Sequence, residues 1–310
     1  MTNSPAHRPT PALLSEWPLA LLASTVAAVM FGKSHLVAAS GTPALAAVIL
    51  IFLSAIVILG ALAIVRHAEV LAHRLGEPGG TLLLTMAITG LEAAMVGLVM
   101  STGDEKPMLA RDTMFAVIML VLNGYLGLAL LLGGIRHNQQ SYNPDSAPAF
   151  LVMIIPLSIL SLVLPNFTRA TPGPTLTQFQ MGFLCVSSVA IYAIFLLFQT
   201  RWNREFFVYA DESHSKASHG PGHGHHAESS APTAYHAAML ALYGAAVILV
   251  AKGISVPLDA LVLNAGAPPA LAGFIMAMLV LTPESIAAVR AARQNQLQRC
   301  VNVLLGSVLA

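Results

Sequence analysis

Charge is what this chain has least of. Of 310 residues, 15 are Lys or Arg and 14 are Asp or Glu, 9% in all, where a soluble domain carries about 25%. So few charges cannot coat a water-soluble globule of this length. With 56% hydrophobic residues, the chain reads as an all-α polytopic membrane protein. The signs nearly balance, net +1, which leaves no basic stripe and argues against nucleic acid as a partner. Cysteine is almost absent. Cys185 and Cys300 lie in or beside apolar runs, and no disulfide framework or cysteine metal centre follows from them. There is no phosphate-binding loop, no His-Glu-x-x-His helix and no serine–histidine arrangement, so the expectation is a transporter and not an enzyme, with no cofactor. The first apolar run lacks a small-residue cleavage site and is read as an uncleaved span.

What is present is a series of nine apolar segments, at 14–31, 43–65, 79–100, 113–134, 148–164, 178–198, 235–254, 268–289 and 300–310. Placing the N-terminus inside puts ten basic residues in inner loops (Arg8, Arg66, Arg74, Arg136, Arg201, Arg204, Lys216, Arg290, Arg293 and Arg299) and five in outer ones (Lys33, Lys106, Arg111, Arg169 and Lys252). That bias favours a cytoplasmic N-terminus. Residues 200–234 form the one long hydrophilic stretch, read as a flexible cytoplasmic linker. It carries His214, His219, His223, His225 and His226. Imidazoles bind transition metals or protons, which makes the stretch a candidate for metal or pH regulation. Without fixed ligand spacing, a solvated linker is the plainer reading.

The segments are organised around Gly79–Met100. It is long and apolar enough to cross a bilayer, and a carboxylate, Glu92, sits in its middle. An acid at that depth costs about 2.5–3.5 kcal/mol on insertion scales and is normally kept for a task. Thr85, Thr89 and Glu92 share one helix face. Of fourteen acidic residues, only Glu92 and Glu284 fall well inside apolar segments, and Glu16 stands at the edge of the first. The approaches to the two acids are alike: Leu71-x4-Gly76-x-Pro78 precedes Glu92, and Leu261-x4-Gly266-x-Pro268 precedes Glu284. With the N-terminus inside, their spans run in opposite directions, the signature of inverted-repeat transporters.

This predicts an N-terminal tail and extra first helix (1–42), a first five-helix repeat (43–199), the His-rich linker (200–234) and an incomplete second repeat (235–310), with about two and a half spans expected beyond residue 310. The two acids are expected to serve one cation- and proton-binding site near the midplane. Pro283, following Thr282, should break its helix and free carbonyls beside Glu284, making an oxygen-rich nest for a hard cation. Thr89, Thr282, Asn302, Ser307 and Asn123 are candidate supporting polar groups, with helix-packing glue as the plainer role.

Longer strings carry a family resemblance. RHAEVLAHRLGEPGGTLLL, STGDEKPMLARDT, LLLGG, FVYADE and LTPESIAAV, with the later NQLQRCVNVLLGSVLA, resemble the ChaA-type sodium-potassium/calcium–proton antiporters, in the cation/proton exchanger branch of the calcium:cation antiporter superfamily. The resemblance implies an extra first helix followed by two inverted five-helix units. It also implies exchange of Na⁺, K⁺ or Ca²⁺ against H⁺ across the bacterial inner membrane, with the essential glutamates at Glu92 and Glu284. Ile88-Thr89-Gly90-Leu91-Glu92 and Leu281-Thr282-Pro283-Glu284 stand where the wider exchanger pattern reads Gly-Asn-x-x-Glu. The partners implied are inorganic cations, protons and lipid, with a homo-oligomer left open. Two rival readings remain: a Zn²⁺ or Ni²⁺ efflux transporter using the His-rich loop, and an uncoupled cation channel.

Overall fold

The computed structural model describes residues 16–76, 79–101, 108–172, 175–202, 204–207 and 231–310. The described residues are helical throughout their regular structure: α1 (Trp17–Phe31), α2 (Lys33–Ala39), α3 (Pro43–Leu75), α4 (Gly79–Met100), α5 (Leu109–Met119), α6 (Leu126–His137), α7 (Ser146–Ser158), α8 (Gln178–Leu197), α9 (Thr233–Asn264), α10 (Ala270–Val280), α11 (Thr282–Arg293) and α12 (Leu297–Leu309). Three π-helical turns continue α5, α7 and α8, at Leu120–Tyr125, Ile159–Val163 and Phe198–Trp202. Six helical stretches are long and apolar enough to cross a membrane. The number rises to eight if each of two bent pairs is one span: α1 with α2, bent by 85°, and α10 with α11, bent by 52°. This is a polytopic α-helical membrane protein.

Two helices outrun their apolar segments. α3 continues ten residues past the stretch ending at 65, and α9 ten past the one ending at 254. Hydropathy alone stops at charge or at Pro257. The helices carry on, because Arg66, His67 and Arg74 find partners along α3, and the α9 backbone tolerates Pro257 in a buried position. At the start of the stretch read as linker, Phe198–Trp202 form a π turn and Arg204–Phe207 a 3₁₀ turn. The Phe207 ring is buried against Phe150 and Phe195. The five histidines of that stretch lie outside the described residues.

The chain forms two compact units, interleaved in sequence. The first holds α1–α4 and α9. Here α9 packs along α3, with α1 and α4 against it. Half of α9's apolar window is buried, against 6% of α8's, so α9 is a core helix and α8 lies at the outside of its unit. Gly60 makes the close packing feasible: a Cβ there would collide with Val247 on α9 and Leu22 on α1. The second unit holds α5–α8 and α10–α12. Its core is an aromatic cluster of Phe150, Phe195 and Phe207, centroids 5.0 to 5.8 Å apart. Cys300, Leu304 and Leu305 of α12 and Ala288 and Ala292 of α11 belong to the same core. The exposed face of α8 (Phe179, Phe183, Val186 and Val189) is apolar, as a surface solvated by acyl chains must be.

The two matched approaches both end at a positive-φ glycine, in different turns. Gly76 (φ 65°) and Gly266 (φ 59°) are the positive-φ glycines among the described residues. Gly76 directly follows α3, and its N–H bonds Ala72 O at 3.1 Å. Gly266 comes after Ala265; its N–H bonds Leu263 O at 3.1 Å, and the Ala267 N–H bonds Val262 O at 3.0 Å. Glycine takes a positive φ without Cβ strain, so either turn can end a helix there. The two strings share the glycine and differ in the hydrogen bonding around it. Pro78 lies outside the described residues.

Candidate ion-binding site

Each unit contains one of the two intramembrane acids. In the first, Glu92 sits near the middle of α4, half-buried, with its Oε1 shut away from the surface. Thr85 and Thr89, two turns and one turn N-terminal, are half-buried on the same face. Gly90 and Gly97 are exposed, with open space where a Cβ would stand.

In the second unit Glu284 occupies the first turn of α11 and is 8% exposed, with both carboxylate oxygens buried. The chain breaks immediately before it. α10 ends at Val280, and α11 restarts at Thr282 with Pro283 in its first turn, at a 52° bend. Pro283 offers no N–H to the preceding turn, and its ring would crowd a continuing helix. Around the break, Thr282 Oγ1 donates to Met278 O (2.7 Å), Ser285 Oγ donates to Thr282 O (2.9 Å) and the Ser285 N–H bonds Leu281 O (2.9 Å). Glu284 therefore lies where the carbonyl end of one helix meets the N–H end of the next, between two hydroxyl-bearing residues in the chain. That donor set suits a hard cation. At the same time, an acid three residues into a helix complements the helix dipole.

Tyr125 is a site residue that sequence reading passed over. It closes the π turn Leu120–Tyr125, and its phenol stands near Ser285 and within electrostatic reach of Glu284. A π turn holds one residue more than an α turn and re-aims the side chains beyond it. No sequence pattern announced it; the nearest signal was Asn123-Gly124-Tyr125, a polar interruption in an apolar span.

Other candidates are placed in packing roles. Asn302 on α12 accepts at Oδ1 from Ser146 (3.1 Å) and Gln298 (2.9 Å), and its Nδ2 donates to Phe207 O (2.7 Å). Gln298 in turn accepts from the Asn143 N–H at 2.7 Å. The network ties α7, α12 and the 3₁₀ turn together. Asn123 donates to Met119 O within its own helix. Ser307 is half-buried on α12. Arg111 donates to Asn166 at 3.0 Å and lies over the Phe115 ring.

Comparison with known proteins reads the same residues. Residues 45–201 match the family model described as sodium/calcium exchanger protein. Over 251 residues the chain is 39% identical to the sodium-potassium/proton antiporter ChaA of Escherichia coli (strain K12), a match that covers 81% of this chain and 67% of that protein. The chain belongs to the sodium/calcium exchanger family. A second relative, the y4hA protein of Sinorhizobium fredii (strain NBRC 101917 / NGR234), provisionally named an ionic transporter, is 41% identical over 266 residues, 85% of this chain and 70% of that one. Membership places the exchanger in the calcium:cation antiporter superfamily, and the matched region contains α4 with Glu92.

Proposed function

We propose that this exchanger is a cation/proton antiporter of the bacterial inner membrane, with its N-terminus in the cytoplasm. In this reading it exports Na⁺, K⁺ or Ca²⁺ in exchange for H⁺ by alternating access. The observation that carries it is Glu284: a carboxylate buried through both oxygens, at a proline-broken helix, in a motif whose counterpart leads to Glu92.

The coupling follows from the cost of a bare charge. A buried carboxylate is tolerable when protonated or when a cation neutralises it, and costly when neither holds. Conformations that change access are then crossed only by the loaded forms, so cation and proton alternate on the same acids. Two acids match two protons to one divalent ion. Thr89 and Thr282 supply hydroxyl or carbonyl oxygen next to each acid. Coupling to protons is what separates this reading from a channel.

The test is a proton-coupled flux assay in everted membrane vesicles, with Na⁺, K⁺ and Ca²⁺ added in turn to an imposed pH gradient. The parent protein should dissipate the gradient on addition of its cation. Glu92→Gln and Glu284→Gln should each abolish the response at unchanged protein level. A response that survives either substitution removes that acid from the mechanism.

A further inference from the structure

The first unit contains a second set of buried ionisable groups that ion binding does not use. Glu16 precedes α1, Arg66 and His67 lie on α3, and Tyr235, His236 and Tyr243 lie on α9. Glu16, His67, His236 and Tyr243 are all buried, His67 to 2% exposure. Arg66 Nη2 donates to both Glu16 oxygens, at 2.9 and 2.8 Å. Tyr243 donates to Glu16 Oε2 at 2.7 Å and Tyr235 to Oε1 at 3.2 Å. His67 Nε2 is 3.4 Å from Arg66 Nη2 and 3.5 Å from Glu16 Oε2. Its Nδ1 is 2.9 Å from the Nδ1 of His236.

The contact between the two rings limits where protons can sit. Two ring nitrogens 2.9 Å apart form a hydrogen bond when one bears hydrogen and the other a lone pair. One proton therefore sits between the rings, on one Nδ1 or the other. His67 Nε2 stands between Arg66 Nη2, whose two hydrogens go to Glu16, and Glu16 Oε2, an acceptor. A further proton taken up by the pair makes His67 an imidazolium whose Nε2–H would face Glu16 Oε2 and repel Arg66. The Arg66 side chain is 45% exposed and has water to swing into. A second added proton, on His236 Nδ1, would set N–H against N–H and break the tie between α3 and α9.

Among the described residues, the ionisable neighbours of the pair come from α1, α3 and α9; α3 also carries Glu69 and His73, α9 carries Lys252 and Asp259, and α2, which packs on α9, carries Lys33 and His35. Glu16 comes from the start of α1, Arg66 and Arg74 from α3, and Tyr235 and Tyr243 from α9. Arg74 also clips the start of α9, through Thr233 Oγ1 (3.0 Å) and Ala231 O (2.7 Å). α4, which packs on α9 too, carries one ionisable side chain, Glu92. Histidine is the side chain whose ordinary titration falls between pH 5 and 8.

We propose that Glu16, Arg66, His67 and His236 form a proton-binding site separate from the transport carboxylates, and that its occupancy, by locking or loosening α3 against α9, sets the pH range in which antiport runs. The second half of this rests on the antiporter reading. With the N-terminus inside, the start of α1, the latter half of α3 and the start of α9 all lie toward the cytoplasm, so the site samples cytoplasmic pH.

Two measurements test it. In vesicles, His236→Gln and His67→Gln should move the midpoint of the antiport pH profile by about one unit while the maximal rate stays within about twofold of the parent. An unmoved midpoint overturns the regulatory role. In the purified parent protein, ring-nitrogen NMR, with signals assigned through the two variants, should show the two rings sharing one Nδ1 proton and titrating as a coupled pair. Two independent titrations near the ordinary value of about 6.5 overturn the site itself. The NMR measurement needs no transport. A parent protein without antiport therefore counts against the proposed function and leaves the proton site to be decided by its own result.

Discussion

Glu92 and Glu284 are the same residue type in matched motifs, yet their surroundings differ. Glu92 is part of an unbroken helix, while Glu284 follows a break and stands between Thr282 and Ser285 in the chain. Tyr125 belongs to the second setting. Tyr125→Phe removes the one hydroxyl near Ser285 and Glu284 and keeps the ring. A lost hydrogen bond is worth about 0.5–1.5 kcal/mol, so the apparent KM for the cation should rise roughly three- to tenfold while thermal stability in detergent stays close to the parent's. An unchanged KM would show that the phenol takes no part in holding the site. Asn302 predicts the reverse. Its amide is spent on three packing hydrogen bonds, so Asn302→Ala should cost about 1–3 kcal/mol of stability, read as a lower melting temperature, with the remaining folded protein keeping its KM.

Residues of this kind mark how far the sequence could be read. Both acids were legible because charge in an apolar run is conspicuous. Asn302 was legible as a polar residue in a span, and its two roles looked equal until its partners were in view. Tyr125, His67 and His236 were not legible as site residues. Tyr125 depends on a π turn that leaves no mark in composition. His67 and His236 stand 169 positions apart, too far for any local pattern to link them. The hint in the sequence was an acid, Glu16, at the edge of a span.

Among the elements, the α10–α11 break and the α3–α9 pair bear most of the argument. Pro283→Ala restores an N–H and relieves the ring clash, letting α10 run into α11 with less than the present 52° bend. Antiport should fall at least tenfold with the protein still inserted and folded, as read by flux against size-exclusion profile. A fully active variant would make the proline a convenience of helix initiation. On the other pair, Gly60→Leu forces a side chain into the space filled by Val247 and Leu22. Overpacking costs about 1–3 kcal/mol, or more where backbones cannot yield, and the melting temperature in detergent should drop accordingly. Helix ends were the least legible part of the fold. Charged residues on the last turns of α3 looked like loop, because hydropathy registers the charge and is blind to the partner that neutralises it.

For the whole molecule, the order of apolar segments was legible almost in full, and the family follows from it together with the strings around the two acids. The orientation makes its own prediction. With Cys185 and Cys300 replaced by serine, a cysteine at Tyr142, between α6 and α7, should react with an impermeant thiol reagent only from the cytoplasmic side. One at Thr175, between α7 and α8, should react only from the other side. The opposite pattern would invert the topology and with it the direction of transport.

The interleaving of the two compact units reaches back to the ribosome. Neither unit closes on consecutive helices: α1–α4 wait for α9, and α5–α8 wait for α10–α12. When the first eight helices have left the translocon, Gly60 still faces an unfilled groove and the Phe150 cluster has no lid. The nascent chain must shelter both in lipid or chaperone until the later helices arrive, and a stall in the hydrophilic stretch between α8 and α9 would strand two half-built bundles at once.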